Sequence, residues 1–136
     1  MKFNKIVEIC IHSSNFGEMK NFYIHSLGLD LVSEEKGRHV FLKTGKSMLL
    51  IFNPENTLNN SNSIFPIHGA ITPPSILHFA FEIKKEDYEN WKNLLQMKKI
   101  SIDKELEMRN SKSIYFHDPS GNIVELITDN FWPIEG

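Results

Sequence analysis

The chain has 136 residues, of which 40% are hydrophobic, enough for one core or for two small modules that share one. Fifteen Lys and Arg against 17 Asp and Glu give a net charge of −2 without any basic block, which removes the electrostatic case for a nucleic acid or an anionic membrane surface as partner. The single cysteine, Cys10, rules out an internal disulfide and a Cys-rich zinc cluster, so a metal site here has to draw on carboxylates and on the six His.

No apolar run reaches the length of a membrane span, and residues 1–5 lead directly into a strand-like segment; a cytoplasmic location is the expectation. Residues 6–12 alternate strictly, with Val7, Ile9 and Ile11 on one side of a strand and Glu8, Cys10 and His12 on the other. Ser14 and Asn15 then offer helix caps, with Glu18 completing an Asn-x-x-Glu capping box. Phe16, Met19, Phe22, Tyr23 and Leu27 recur at helical spacing until Gly28 ends the helix. Three strands follow, 29–35, 38–43 and 47–52, joined by turns at Lys36-Gly37 and Thr44-Gly45-Lys46. The first module is therefore β-α-β-β-β. Residues 53–75 change character, with four Pro and an Asn-rich run, and are expected to form a long loop in which Phe65 and Ile67 pack on the core or close over a ligand.

The same order then begins again. Residues 76–83 alternate, placing His78, Ala80 and Glu82 opposite Leu77, Phe79, Phe81 and Ile83. Glu86 and Asp87 suit a helix start, Tyr88, Trp91, Leu94 and Leu95 form its buried stripe, and Lys98 and Lys99 suit its end. Residues 100–106 are a weaker strand. Residues 113–127 are a hairpin about Asp118-Pro119-Ser120-Gly121, where Pro fixes φ and Gly accepts φ > 0.

Glu125 breaks the pattern of its strand. Val124 and Leu126 flank it, and Ile123 and Ile127 lie two residues away, so it is a carboxylate among apolar neighbours. A buried lone carboxylate costs several kcal/mol, roughly, and has to be solvated, paired or metal-bound. The internal repeat offers partners. Aligning the first strands sets Glu8 on His78, and aligning Gly45 on Gly121 sets Leu49 on Glu125, so three of four equivalent positions carry groups that bind divalent metals. His12, Glu82, Tyr115 and His117 fall on the same side of their strands. Tyr115 and His12 are suited to orient a substrate or donate hydrogen bonds, although ordinary half-exposed strand residues look the same. His25, His39 and His68 are expected to be solvated, and Arg38 and Arg109 are candidates for pairing a substrate anion.

Phe22-Tyr23-x3-Leu27-Gly28, the strand His78-Phe79-Ala80-Phe81-Glu82, Asp118-Pro119-x-Gly121-x3-Glu125 and the two-module order together resemble the vicinal oxygen chelate superfamily of glyoxalases, bleomycin-resistance proteins and dioxygenases. The resemblance implies an α+β fold in which two tandem βαβββ modules, 1–53 and 76–130, joined by the loop 54–75, form a single domain over 1–136. Its sheets would make a half-open barrel around a cavity with the helices outside. It also implies Glu8, His78 and Glu125 as metal ligands, with Glu8, Glu125 and Tyr115 as the catalytic candidates. A divalent ion suited to this set is Mn, Fe, Ni, Co or Zn. The implied protein is a homodimer acting on a small-molecule substrate whose two neighbouring oxygens chelate the metal, as a lyase, isomerase, transferase or dioxygenase. Leu49 stands where glyoxalase I has a fourth ligand, and Glu8 where the fosfomycin-inactivating enzymes and dioxygenases have His. The alternative is a metal-free protein that binds small molecules or drugs by shape.

Overall fold

The computed structural model describes residues 1–2, 4–55 and 77–133. The chain divides into two compact units, Met1–Ser75 and Ile76–Gly136, each with the predicted strand order. In the first unit β1 (Glu8–His12), β2 (Asp30–Glu35), β3 (His39–Thr44) and β4 (Ser47–Phe52) form a mixed sheet in the order β1-β4-β3-β2, with β1 parallel to β4. A helix, α1 (Phe16–Lys20), joins β1 to β2 and runs on as a π-helical segment, Asn21–Ser26. Asn15 caps it by accepting the Glu18 N–H at 3.2 Å. Only half of the expected capping box forms, because the Asn15 N–H is taken by Ser13 Oγ at 3.0 Å. Gly28, at φ +82°, closes the helix as expected.

Residues paired across a sheet share a face, so the register sorts the first unit's side chains. Ile9, Leu49 and Leu42 lie in one row and Ile11, Ile51 and Val40 in the next. Apart from Ile9, all of these are buried, and with Met19 and Tyr23 they make the unit's core. Val7, just before β1, and Ile9 lie on the same side as Ile11 yet stay 52% and 40% exposed, since β1 is an edge strand. The opposite face carries Glu8, Met48 and Lys43, then Cys10, Leu50 and Phe41, then His12, Phe52 and His39, with Leu50 and Phe52 buried on it.

The second unit repeats the plan with β5 (His78–Ile83), β6 (Lys104–Met108), β7 (Ser111–His117) and β8 (Ile123–Thr128), in the order β5-β8-β7-β6, and with α2 (Tyr88–Met97) after a 3₁₀ turn, Lys85–Asp87. Phe79, Ile83, Leu95, Ile114, Phe116, Val124 and Leu126 fill its core. β6 begins later than the expected 100–106. The Ile100 N–H is spent on Leu95 O at the end of the helix, so pairing starts only at Lys104. From residue 56 the loop expected at 54–75, with Phe65, Ile67 and His68, lies outside the described residues. No helix among the described residues is long and apolar enough to cross a membrane.

The turn between β7 and β8 is held by its own side chains. Asp118 Oδ1 accepts the N–H groups of Ser120 and Asn122 at 2.9 Å each, and its Oδ2 accepts Asn122 Nδ2 at 2.8 Å. Asn122 Oδ1 in turn accepts the Leu77 N–H at 3.3 Å, and the Ile123 N–H donates to Leu77 O at 2.8 Å. Both side chains are 4% exposed. This clamp fixes the start of β5 against the start of β8. Asn122→Ala would strand buried polar groups at both ends of it, and a loss of about 2–4 kcal/mol in urea unfolding is expected.

On the core side of β6, Tyr88 donates to Glu105 Oε1 at 2.6 Å, Lys92 stands 3.2 Å from Oε2, and Lys112 lies over the Tyr88 ring. Burial first, and then the Glu105 hydrogen bond, raise the Tyr88 phenol well above its ordinary range. The Tyr88 and Lys92 hydrogen bonds lower Glu105. A depressed carboxylate contributes above its unfolded pKa and loses that contribution as pH falls through the folded value. A raised phenol contributes below about pH 10 and loses it as pH rises through the folded value. Tyr88→Phe is expected to cost about 1 kcal/mol at pH 7, and its melting-temperature deficit to shrink both below pH ~4 and above pH ~10.

Candidate functional site

Glu125 is 6% exposed, and the structure answers the question its sequence position raised. In the second unit's register, Ala80, Glu125 and Tyr115 share one row and His78, Ile123 and His117 the next, all on the face opposite the core. From this open face His78 Nε2 comes within 2.9 Å of Glu125 Oε1, and Ser113 Oγ donates to Oε2 at 2.7 Å. The His78 side chain is half exposed while Glu125 is buried, so the pair presents an imidazole to the outside and a carboxylate behind it. The Tyr115 ring lies 5.9 Å from that of His78. Burial, and then the Glu125 carboxylate beside it, push the Tyr115 phenol up, so at neutral pH it is a donor rather than a base. Ser113 was not singled out in the sequence. Its signal was a small polar residue, two before Tyr115 and on the same side, in an otherwise bulky strand.

Glu8 belongs to the first unit, where it begins the open face of β1 and is exposed. The structure thus brings His78 and Glu125 together. Among the described residues no three His, Cys, Asp or Glu side chains gather into a cluster able to hold a metal. Cys10 follows Glu8 on the same face, and burial, then the Glu8 charge, raise its thiol pKa. The remaining His and Arg candidates are dispersed. His25 is exposed. His39, expected to be solvated, instead stacks on Phe41 at 4.0 Å with Phe52 edge-on to both, and burial lowers its pKa. Arg38 stands 3.7 Å from Glu35 Oε2, and Arg109 lies over the Phe131 ring.

The repeat alignment needs one correction. With Glu8 set on His78, the registers place Met48 on Ile123, Cys10 on Ala80, and Leu50, not Leu49, on Glu125. Leu49 faces the core, 2% exposed. The two glycines are not equivalent markers: two residues separate β3 from β4, whereas 118–122 separate β7 from β8. An odd difference in loop length turns every following side chain to the other face. The fourth position is apolar in either alignment.

A pair of four-strand βαβββ units, one with a buried carboxylate held by an imidazole on its open face, defines a glyoxalase-like protein. The chain belongs to the Glyoxalase/Bleomycin resistance protein/Dioxygenase superfamily, whose model matches residues 5–126. It is 31% identical over 117 residues to the metallothiol transferase FosB of Staphylococcus haemolyticus, covering 85% of this chain and 76% of that protein. It is 28% identical over 130 residues to FosB of Staphylococcus epidermidis, covering 94% and 84%. The crystal structure of lactoylglutathione lyase from Agrobacterium tumefaciens superposes with a TM-score of 0.89 at 29% identity, over 98% of this chain and 100% of that one.

The donor set can be tested against a divalent ion from the pair itself. Two ligand atoms about 2.1 Å from one ion and at right angles to each other lie about 3 Å apart. The His78 Nε2 to Glu125 Oε1 separation of 2.9 Å is that of an N–H···O hydrogen bond and also lies near that spacing. Ser113 Oγ fixes the second oxygen of the same carboxylate.

Proposed function

We propose that this protein is a metal-dependent enzyme acting on a small molecule that presents two neighbouring oxygens. His78 and Glu125 are the ligands from the second unit; Glu8, expected as the third, stands exposed at the start of β1 in the first. The observation that carries this is the approach of His78 Nε2 to within 2.9 Å of Glu125 Oε1 on the face of the sheet opposite the core. The similarity to a metallothiol transferase and to a lactoylglutathione lyase supports the enzyme reading. A divalent ion held there supplies a positive charge to stabilise negative charge developing on a substrate oxygen. Ser113, donating to Oε2, holds the Glu125 carboxylate in one orientation. Tyr115, protonated, donates a hydrogen bond to a substrate oxygen.

The alternative, a metal-free protein that binds its ligand by shape, draws support from the apolar Leu50 opposite Cys10 and from the fact that both Glu125 oxygens already have partners. Calorimetric titration with Mn, Ni, Co and Zn separates the two. One ion per chain is expected to bind, and His78→Ala or Glu125→Gln to abolish uptake. Ser113→Ala should weaken it by about 10–100-fold. A folded wild-type protein that takes up none of these ions overturns the metal reading in favour of the second. A homodimer belongs to the proposal as well, because edge strand β1 leaves Val7 and Ile9 open for a second copy to cover; light scattering that returns only the 15.8 kDa monomer removes it.

A further inference from the structure

In the first unit one carboxylate oxygen stands between two donors. Glu35 ends β2 and pairs with His39 at the start of β3. Its Oε2 lies 3.7 Å from Arg38 Nε and 3.8 Å from His39 Nδ1, just beyond hydrogen-bond length from both. The Arg38 and His39 side chains are 15% and 14% exposed, whereas that of Glu35 is 61% exposed. The imidazole is held in place: it stacks on Phe41 with an interplanar angle of 18°, and Ser33 Oγ lies 3.3 Å from its Nε2. The backbone beside it is held too, since the Arg38 N–H donates to Glu35 O at 2.9 Å and the Asn53 N–H to Arg38 O at 2.9 Å. The carboxylate is therefore the part able to move. His39 Nδ1 is buried and has no hydrogen-bond partner among the described residues. With Nε2–H donating to Ser33, Nδ1 of the neutral ring bears a lone pair and has nothing to offer a carboxylate. A proton added there makes a charged donor within reach of Glu35.

We propose that Arg38, Glu35 and His39 form a proton-operated exchange of partners: with His39 neutral the Glu35 carboxylate stays beside Arg38, and with His39 protonated it moves onto Nδ1–H and fastens edge strand β2 to β3. The proton comes from solvent, and the bond it makes is N–H at Nδ1. The aromatic surface of Phe41 and Phe52 then holds a neutral ring at neutral pH and a cation paired with Glu35 in mild acid. The charged and titratable groups around the ring are Glu34 and Glu35 from β2, Arg38 beside it and His12 across Phe52 in the same row; β4 faces it with Phe52 and brings no titratable group. Burial, first, holds the imidazole below its ordinary value, while the Glu35 charge opposes that and the Arg38 charge adds to it. The unfolded chain therefore binds this proton more readily than the folded one. Stability is full above the unfolded value of about 6.5 and declines as pH falls from there to the folded value, below which this contribution is constant.

Nitrogen-15 and proton NMR of the full chain, followed from about pH 8 to pH 4, tests this. Neutral His39 is expected as the Nε2–H tautomer, with a titration midpoint below the ordinary one, and the Arg38 Nε–H signal is expected to shift at that same midpoint as Glu35 leaves. Glu35→Gln, a change at an exposed side chain that leaves the fold intact, should displace the His39 midpoint to lower pH and abolish the Arg38 response. Urea unfolding of the same two proteins gives a second readout: the decline of stability below about pH 6.5 should be deeper in Glu35→Gln, because the carboxylate no longer offsets the cost of charging a buried ring. A His39 midpoint that Glu35→Gln leaves in place, or an Arg38 signal that stays still while His39 titrates, overturns the exchange.

Discussion

The parallel pairing of β5 with β8 is the constraint on which the second unit depends. Neither strand follows the other in sequence, and the turn that leads into β8 would by itself say nothing about where β5 lies. Asn122 joins the two. Its main chain and Nδ2 close the turn on Asp118, while its Oδ1 takes the Leu77 N–H one residue before His78. Because the side-chain period of a strand is two, a slip of one residue here would send either His78 or Glu125 to the core side. The clamp therefore determines whether a carboxylate in an apolar strand meets an imidazole or is buried alone, an outcome that would cost several kcal/mol, roughly.

Both units use the same strand order, yet their open faces differ in chemistry. In the first, Leu50, Phe41, Phe52 and His39 make an aromatic and aliphatic surface, with His39 stacked on Phe41. In the second, the corresponding strands present Glu125, Tyr115, Ser113 and His117. A polar side chain on such a face requires a partner, and each of these has one: Ser113 and His78 for Glu125, Asp103 for His117. The first unit's face has a polar pair as well, Ser33 Oγ lying 3.3 Å from His39 Nε2, but the buried carboxylate is on the second. Glu8 is the exception in the first unit, a carboxylate at the exposed start of an edge strand where water can solvate it.

Most of the fold was legible because each element carried a local signal. Strict alternation gave β1 and β5, and Asn15 and Gly28 bracketed the first helix. Asp-Pro-x-Gly marked the hairpin, and the recurrence of the order gave the two modules. The weaker points have physical causes. Ile100 looked like a strand residue, but its amide is consumed in closing α2. The repeat was read through its turn glycines, and a tight two-residue turn cannot be aligned with a five-residue one without changing the parity of the strand that follows. His39 was read as solvated because position alone does not reveal stacking on a side chain two residues away.

The candidate site was legible to the extent that its residues conflicted with their surroundings. Glu125 could be singled out because a carboxylate is costly in an apolar strand, and His78 because the repeat placed it opposite Glu8. Ser113 and Asp103 gave no such conflict. A serine is tolerated in any strand and an aspartate in any loop, so what they do depends on long-range pairing: Ser113 is 12 residues from Glu125, and Asp103 is 14 from His117. Residues that ligate or react can stand out in a single sequence by the energetic cost of their position. Residues that hold them in place carry no such cost and become visible only when the register is known.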